Sequence, residues 1–491
     1  MRKKVYVILG LFLLSSIVFA AIKMPKFSKI DSIKKEKRSP AESSEYKDIR
    51  IRKFPIAIQC WTFREYSFQE ALEKAKALGI DFVQPYPGQA LRPDKPEVEF
   101  DHNLSEENIQ WVQKKLEEHG QHLIAYGVVE FDNTEEDMRK VFDFAKNLGI
   151  RTVVAEPKFD DFALLERMVK EYNINVAIHN HPSPSKYARP ESVLERIKGL
   201  DERIGACVDT GHWMRSGVKP LEGLKMLEGR IIDVHLKDLD AFGVLEAEDV
   251  PFGQGKANVH DILAELTNQN FRGYLAVEYE KEADALNPAP PIKKGIEYIK
   301  SITYYEGFEE ILSWWNGTFS KHGWNHYGPG YFVLDEKTGV LKSQGGMGLL
   351  WYSRKKYRDF VLELEFKSSQ TDTNSGIFLR IPEIPTSDDY IYHSFEVQIY
   401  DCGSGIHKTG AVYDAEAPRS DAFKPTGEWN FCKITFRGDF IHVELNGVEV
   451  IGWKAEPRGK IKDFAAAGYI GFQNHDSISP VYFRNIYVKE L

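Results

Sequence analysis

"ACVDTGHW", residues Ala206–Trp213, sets a carboxylate, Asp209, and an imidazole, His212, three residues apart directly after an apolar run. One reading is a helix start with Asp209 as N-cap and an incidental histidine. The other is a metal site at the mouth of a strand. The stretches on either side separate the two. "RIGACVD" reads as a buried strand. "NVAIHNH" and "RTVVAE" precede it, and "RIIDVHLKD" and "GYLAVEYE" follow it. Each is a short apolar run followed by an amphipathic segment.

The pattern begins at Phe54. "FPIAIQC" precedes "SFQEALEKAKALGI", in which Phe68, Ala71, Leu72, Ala75 and Leu78 fall at helical spacing. "DFVQP" precedes "SEENIQWVQKKLEEHG", which Ser105 starts and Gly120 stops. "HLIAYGVV" leads into a helix closed by Gly149. Eight strand–helix units over about 250 residues predict a TIM barrel. An open doubly wound sheet is the alternative, but "CWTFREYS" after the first strand has no Gly-rich phosphate turn.

A barrel carries its active-site groups at the carboxyl ends of its strands. Here those ends hold Glu156; His179 and His181; Asp209; His235 with Lys237 and Asp238; and Glu278. Side chains alternate along a strand, so Glu156 goes with Val154, Asp209 with Cys207, His235 with Asp233 and Glu278 with Ala276. A lone Glu or His at a strand end is ordinarily a cap or a structural residue. Four at one opening are harder to dismiss. Three carboxylates there repel one another unless a cation offsets them. Glu156, Asp209, His235 and Glu278 are therefore the expected ligands of a divalent metal, manganese first, with cobalt, magnesium or zinc the alternatives.

Other features bound the answer. A chain of 491 residues is too long for one small domain, and a net charge of −9 gives no sign of nucleic-acid binding. Aromatic residues make up 13%, enough to line sugar sites or to fill cores. "MRKK" followed by "VYVILGLFLLSSIVFAA" predicts an export signal over residues 1–21, and so a periplasmic location, or else an uncleaved N-terminal anchor. Residues 22–53, centred on "KKEKRSPAESSE", read as a flexible linker. Cys60 and Cys207 end apolar runs and read as buried, and no disulfide framework is expected from four cysteines.

The barrel is expected over residues 54–304. From 305 to 491 helical periodicity gives way to alternating strands with Gly, Asn and Asp turns, Asn446-Gly447 in "LNGVEV" being the clearest hairpin. These strands predict a jelly-roll sandwich, concanavalin-like in form. In "FEVQI", Glu396 and Gln398 share one face while Phe395, Val397 and Ile399 take the core face. "NSGIFLR" puts Ile377 and Leu379 on one side and Phe378 and Arg380 on the other, and "FQNH" pairs Gln473 with His475. Polar groups gathered on one concave face make a sugar site; a solvated outer face is the plainer reading.

The motifs "VVAEP", "AIHNHP", "VDTGHW.RSG", "VHLKD", "PFGQG" and "LAVEYE" together resemble the xylose-isomerase-like barrels of the sugar phosphate isomerase/epimerase family. The resemblance implies that Glu156, Asp209, His235 and Glu278 hold the metal, and that His212 contacts bound substrate or relays protons. Gln84 stands where many relatives carry Glu. "GVLKSQGG", "NSGIFLR", "SFEVQIYD", "GEWN", "IGFQNH" and "VYFRNIYVKEL" resemble the 3-keto-disaccharide hydrolase domain. It implies 3-keto-glucosides as substrates, with Glu396 or His475 as base and Arg380 beside the developing enolate. The expected catalytic groups are thus Glu156, Glu278, His212, His181 and Lys237 in the barrel and Glu396, Arg380 and His475 in the sandwich. Lys158, Arg215, Asn374, Gln398 and Gln473 are the expected substrate contacts.

The expectation is a bifunctional enzyme that cleaves 3-keto-glycosides or oligosaccharides by hydrolysis or by elimination and hydration. No dinucleotide motif is visible, so a separate dehydrogenase would supply the keto sugar. The alternatives are a metal-dependent sugar isomerase or epimerase with a carbohydrate-binding sandwich, and a pure binding protein with a degenerate barrel.

Overall fold

The computed structural model describes Tyr46, Ile49 and residues 51–491 apart from 133, 304–306 and 316–317. The expected export signal, most of the expected linker and the boundary at 304/305 lie outside the described residues. Ile51 and Arg52, expected at the end of the linker, are instead buried, and the Arg52 guanidinium donates to Asn270 Oδ1 at 3.3 Å. Among the described residues no helix is long and apolar enough to cross a membrane.

The first half is a closed parallel barrel. Its strands are β1 (Ile56–Gln59), β2 (Phe82–Gln84), β3 (His122–Leu123), β4 (Tyr126–Val129), β5 (Thr152–Ala155), β6 (Asn175–Ile178), β7 (Ile204–Asp209), β8 (Ile231–Leu236) and β9 (Leu275–Val277). They pair in the order β3-β2-β1-β9-β8-β7-β6-β5-β4. The two ends of this list, β3 and β4, are halves of one strand. Ile124 N–H bonds Val83 O and Gly127 N–H bonds Pro85 O, so the bonding to β2 and the residue after it continues from β3 into β4 and closes the ring. Helices follow the strands as their periodicity and caps dictate. Ser67 and Glu70 form a reciprocal capping box on the helix Phe68–Ala77, and Gly120 ends Glu106–His119 at φ +60°.

One layer of inward side chains fills the closed end of the barrel: Ala57, Val154, Ala177, Cys207 and Ala276, each from a different strand. Trp314, from the second half of the chain, packs under this layer with its ring 5.3 Å from that of Tyr274. Alternation carries the same inward direction two residues on, to Gln59, Glu156, His179, Asp209 and Glu278 at the open end. The architecture itself thus delivers polar groups to one mouth.

The second half is an antiparallel sandwich. One sheet runs β10 (Trp324–Tyr327), β11 (Gly348–Tyr357), β14 (Gly468–Asn474), β12 (Asn374–Ile381), β13 (Phe395–Tyr400) in spatial order. The facing sheet is built on Phe360–Ser368, Asn430–Arg437 and Val481–Glu490. Phe395, Val397, Ile399, Ile377 and Leu379 meet Phe366, Ile434 and Phe483 in the core between them. All four cysteines are free; Cys60, Cys207 and Cys432 are buried.

Candidate metal and active site

Five buried side-chain atoms at the barrel mouth lack a well-aligned hydrogen bond: both ring nitrogens of His179, Asp209 Oδ2, His235 Nδ1 and Glu278 Oε2. They come from the ends of four neighbouring strands and belong to side chains whose ligand atoms lie within 4.8 Å of one another. Asp209 Oδ2 is 3.7 Å from His179 Nε2 and 3.9 Å from His235 Nδ1. His235 Nδ1 is 3.0 Å from Glu278 Oε2, out of line for a hydrogen bond. Two imidazole nitrogens and two carboxylate oxygens converging in this way fit a divalent ion. The set suits manganese, cobalt, magnesium or zinc without singling one out.

The set differs from the expected one at one position. Asp209, His235 and Glu278 come together as the sequence implied, with His179 as the fourth group, while Glu156 gathers with His179 and His181 in an adjoining group that could also hold an ion. Glu156 lies one residue past the end of β5, where other donors capture its carboxylate. Oε1 accepts from the His181 backbone N–H at 2.9 Å and lies 2.7 Å from His181 Nδ1, and Oε2 accepts from Ser185 Oγ at 3.0 Å. The His179 ring stands between, with Nδ1 3.8 Å from Glu156 Oε1. Burial alone would raise the Glu156 pKa, but His179 and His181 hold it well below the usual carboxylate range. His179 was readable from alternation with Ala177, a test that the sequence reading applied to other strands but not to this one.

Lys237 is fully buried, and its ammonium lies 3.0 Å from Asp209 Oδ2, 3.0 Å from Glu278 Oε2 and 2.9 Å from Glu280 Oε2. Burial opposes its charge, but Asp209, Glu278 and Glu280 outweigh burial and keep it protonated. The ammonium thus shares both donor oxygens of the set, so any divalent ion must coexist with a fixed positive charge. His212 lies on the second level. Asp209 Oδ1 accepts from its backbone N–H at 2.7 Å as the N-cap of the helix Thr210–Arg215, so the cap reading of "ACVDTGHW" holds while Oδ2 stays turned to the cluster. His212 Nε2 is 3.3 Å from Lys237 Nζ, and its Nδ1 faces Arg215 at 3.1 Å. Burial, reinforced by Lys237, drives its pKa down to about 3 despite Asp209, so the ring is neutral.

Arg215 bonds Glu280 at 2.7 Å and Asp249 at 3.2 Å, which ties the loop after β8 to the site. Glu280 and Asp249 were not singled out from the sequence; Glu280 was accessible through its alternation with Glu278. Burial raises Asp249 to about 7. Lys158, expected as a substrate contact, is turned elsewhere: it is exposed, and its ammonium lies 3.4 Å from Phe131 O. Asp238 accepts from the backbone N–H groups of Gly253, Gly255 and Ala257, which explains "PFGQG". A Cβ at Gly255 would lie 2.2 Å from Asp238 Oδ1.

In the sandwich, Glu396, Gln398 and Gln473 are buried on the face away from the core. Gln398 Nε2 donates to Asn374 Oδ1 at 3.1 Å. Beside them, Leu349, Trp351, Phe378, Ile381 and Tyr390 form a separate apolar floor. Burial pushes the Glu396 carboxyl up to about 8, with Lys460 opposing. His475 is exposed, 3.8 Å from Asp476. Arg380 does not share this face. The register shifts between Phe378 and Ile381, and Arg380 sits at φ +55°. The bulge turns it over, so that Ile381 joins the floor while the guanidinium stacks 3.6 Å from the Phe436 ring and donates to Arg358 O at 3.0 Å. Arg380 is a buried structural group here, with no access to the Glu396 face.

A parallel barrel with a cluster of imidazole and carboxylate donors at its mouth is continued by a lectin-like sandwich with a polar face. The chain is a fusion of two families: residues 72–302 match the xylose isomerase-like TIM barrel, and residues 310–489 match the 3-keto-alpha-glucoside-1,2-lyase-like domain. It is similar to inosose dehydratase of Mesomycoplasma hyopneumoniae (strain 7448), 26% identical over 220 residues, 36% of this chain and 73% of that protein. The rhizopine catabolism protein MocC of Rhizobium meliloti is 28% identical over 160 residues, 30% of this chain and 48% of that protein. Among solved structures, an uncharacterized protein from Parabacteroides distasonis is 33% identical, covering 50% of this chain and 98% of that one with a TM-score of 0.42.

Proposed function

We propose that the chain is a bifunctional enzyme of 3-keto-glycosides, in which the sandwich eliminates the aglycone and the barrel hydrates the product. The observation that supports it most is the convergence of His179, Asp209, His235 and Glu278 beside the buried ammonium of Lys237. Held by these four residues, a divalent ion would supply Lewis acidity toward a ketone and its neighbouring hydroxyl. Every other part of the step falls to the chain. Lys237 places a fixed positive charge where negative charge grows on a substrate oxygen. His181 Nδ1 lies 2.7 Å from Glu156 Oε1, which leaves His181 Nε2 at the half-exposed edge of the mouth. That nitrogen is placed to take a proton from carbon and return it. Arg215 and Glu280 hold His212 and Lys237 in position.

The chemistry balances. A ketone at C3 acidifies the C2 proton. Loss of that proton with cleavage of the C1–O bond gives a 2-hydroxy-3-keto-glucal and the free aglycone. Addition of water across C1=C2, hydroxyl to C1 and proton to C2, gives the 3-keto sugar. Relatives named inosose dehydratase support the second half, since dehydration and hydration are one step run in opposite directions. An exported location and a separate dehydrogenase that makes the keto sugar complete the proposal. A sugar isomerase or epimerase is the second reading, favoured by the barrel family.

The test uses a 3-keto-glucoside in deuterated water with the whole chain and two variants. Glu396→Gln is expected to leave substrate uncleaved. Glu156→Gln is expected to release aglycone but to accumulate the glucal. Epimerised substrate with aglycone still attached would favour the second reading.

A further inference from the structure

The direction of a ring nitrogen's lone pair at His235 is set by a chain of buried polar contacts that ends outside the donor cluster. Val234 N–H donates to Asp233 Oδ1 at 3.0 Å. The Gln84 amide donates from Nε2 to Asp233 Oδ2 at 2.8 Å. His235 Nε2 lies 3.0 Å from Gln84 Oε1. All three side chains are buried: Gln84 and His235 are fully enclosed and Asp233 is 4% exposed. Each link dictates the next. With both carboxylate oxygens accepting, Asp233 requires the amide to present its NH2. The amide oxygen then faces His235, which must carry its proton on Nε2. Nδ1 then faces the cluster, 3.0 Å from Glu278 Oε2 and 3.9 Å from Asp209 Oδ2, and is the ring nitrogen on offer to an ion there.

We infer that Asp233 and Gln84 are positioning residues that hold His235 in its Nε2–H tautomer and so keep Nδ1 available as a donor to the cluster. The inference rests on the proposed metal reading only for its consequence; the tautomer is a property of the metal-free protein. Glu at position 84 would meet the Asp233 carboxylate at the 2.8 Å that Gln84 Nε2 now occupies. Gln is the residue that can donate to one neighbour and accept from the other.

The polarity is reversible by a substitution that hardly changes shape. In Asp233→Asn the Val234 N–H keeps the side-chain oxygen, so the new NH2 faces Gln84. The Gln84 amide then turns over and presents NH2 to His235, whose Nε2 must accept and whose proton moves to Nδ1. Adding Gln84→Glu restores an acceptor toward both the new amide and His235.

The experiment records long-range 1H–15N correlations of histidine in the whole, metal-free chain, with His235 assigned by its loss in His235→Gln, and titrates Mn2+ alone by calorimetry. The parent and the double variant are expected in the Nε2–H form, and Asp233→Asn in the Nδ1–H form with Mn2+ affinity lower by about 10–100-fold. An Nδ1–H parent overturns the inference without any variant. So does an Asp233→Asn protein that keeps Nε2–H, or a double variant that stays in the Nδ1–H form. A tautomer that inverts while Mn2+ affinity stays the same overturns the link to the cluster. A parent that binds no Mn2+ refutes the metal reading, while the tautomers still decide this inference.

Discussion

Replacing Lys237 with Met removes one charge from the centre of the site and changes little else in volume. Three carboxylates, Asp209, Glu278 and Glu280, lie within 3.0 Å of the ammonium, and the residue is fully buried. Breaking a buried ion pair from one side costs about 3–5 kcal/mol, because the partner charges stay behind. Glu280 keeps Arg215 at 2.7 Å, but Asp209 Oδ2 and Glu278 Oε2 lose the ammonium. At the sensitivity of a domain of this size, the metal-free variant should melt roughly 10 °C below the parent. The ammonium also shares two of the four donors with any bound ion. Its removal should therefore strengthen Mn2+ binding, and saturating Mn2+ should raise the variant's Tm more than the parent's. Differential scanning fluorimetry of both proteins, in EDTA and across a Mn2+ series, reads both effects. Equal melting in EDTA would refute the claim that Lys237 neutralises the cluster. Equal Mn2+ shifts would refute the claim that ammonium and ion share donors.

The sandwich yields further predictions. Glu396 has its pKa raised from 4.5 to about 8 by burial, so the folded state holds a proton that the unfolded state has lost over that range. Stability should fall as pH rises from about 4.5 to 8 and level off above, and Glu396→Gln should remove that slope in urea titrations at stepped pH. Activity in which Glu396 is the base should rise through about pH 8, whereas an acid role would make it fall. Gly376→Ala puts a Cβ 2.1 Å from Glu396 Oε1 and should abolish aglycone release while leaving Mn2+ binding unchanged by calorimetry. Arg380→Met should cost about 1–3 kcal/mol in chemical denaturation, through lost stacking on Phe436 and an unpaired Arg358 carbonyl, without a matching fall in kcat.

Much of the site could be read from alternation, because a barrel strand is a straight ruler with a period of two. The inward Cys207 and Ala276 predict inward Asp209 and Glu278, and the structure places all four so. Ala177 predicts His179 by the same rule. Parity alone does not settle Glu156, although His179 and Glu278 also stand one residue past their strands. Glu156 follows the last residue of β5, and there a backbone N–H, a ring nitrogen and a serine from the loop after β6 decide its direction. Arg380 fails for a related reason, since a bulge with a left-handed residue inverts the parity. Asp249 comes from a loop with no periodicity, and the Asp233–Gln84 contact joins strands distant in sequence. Neither leaves a local trace in the chain.

Anomalous diffraction at the manganese edge from crystals grown with Mn2+ tests the central claim most directly. The account predicts one strong peak in the barrel, within bonding distance of His179 Nε2, Asp209 Oδ2, His235 Nδ1 and Glu278 Oε2. A map without a peak there, or with the ion held elsewhere, would contradict it.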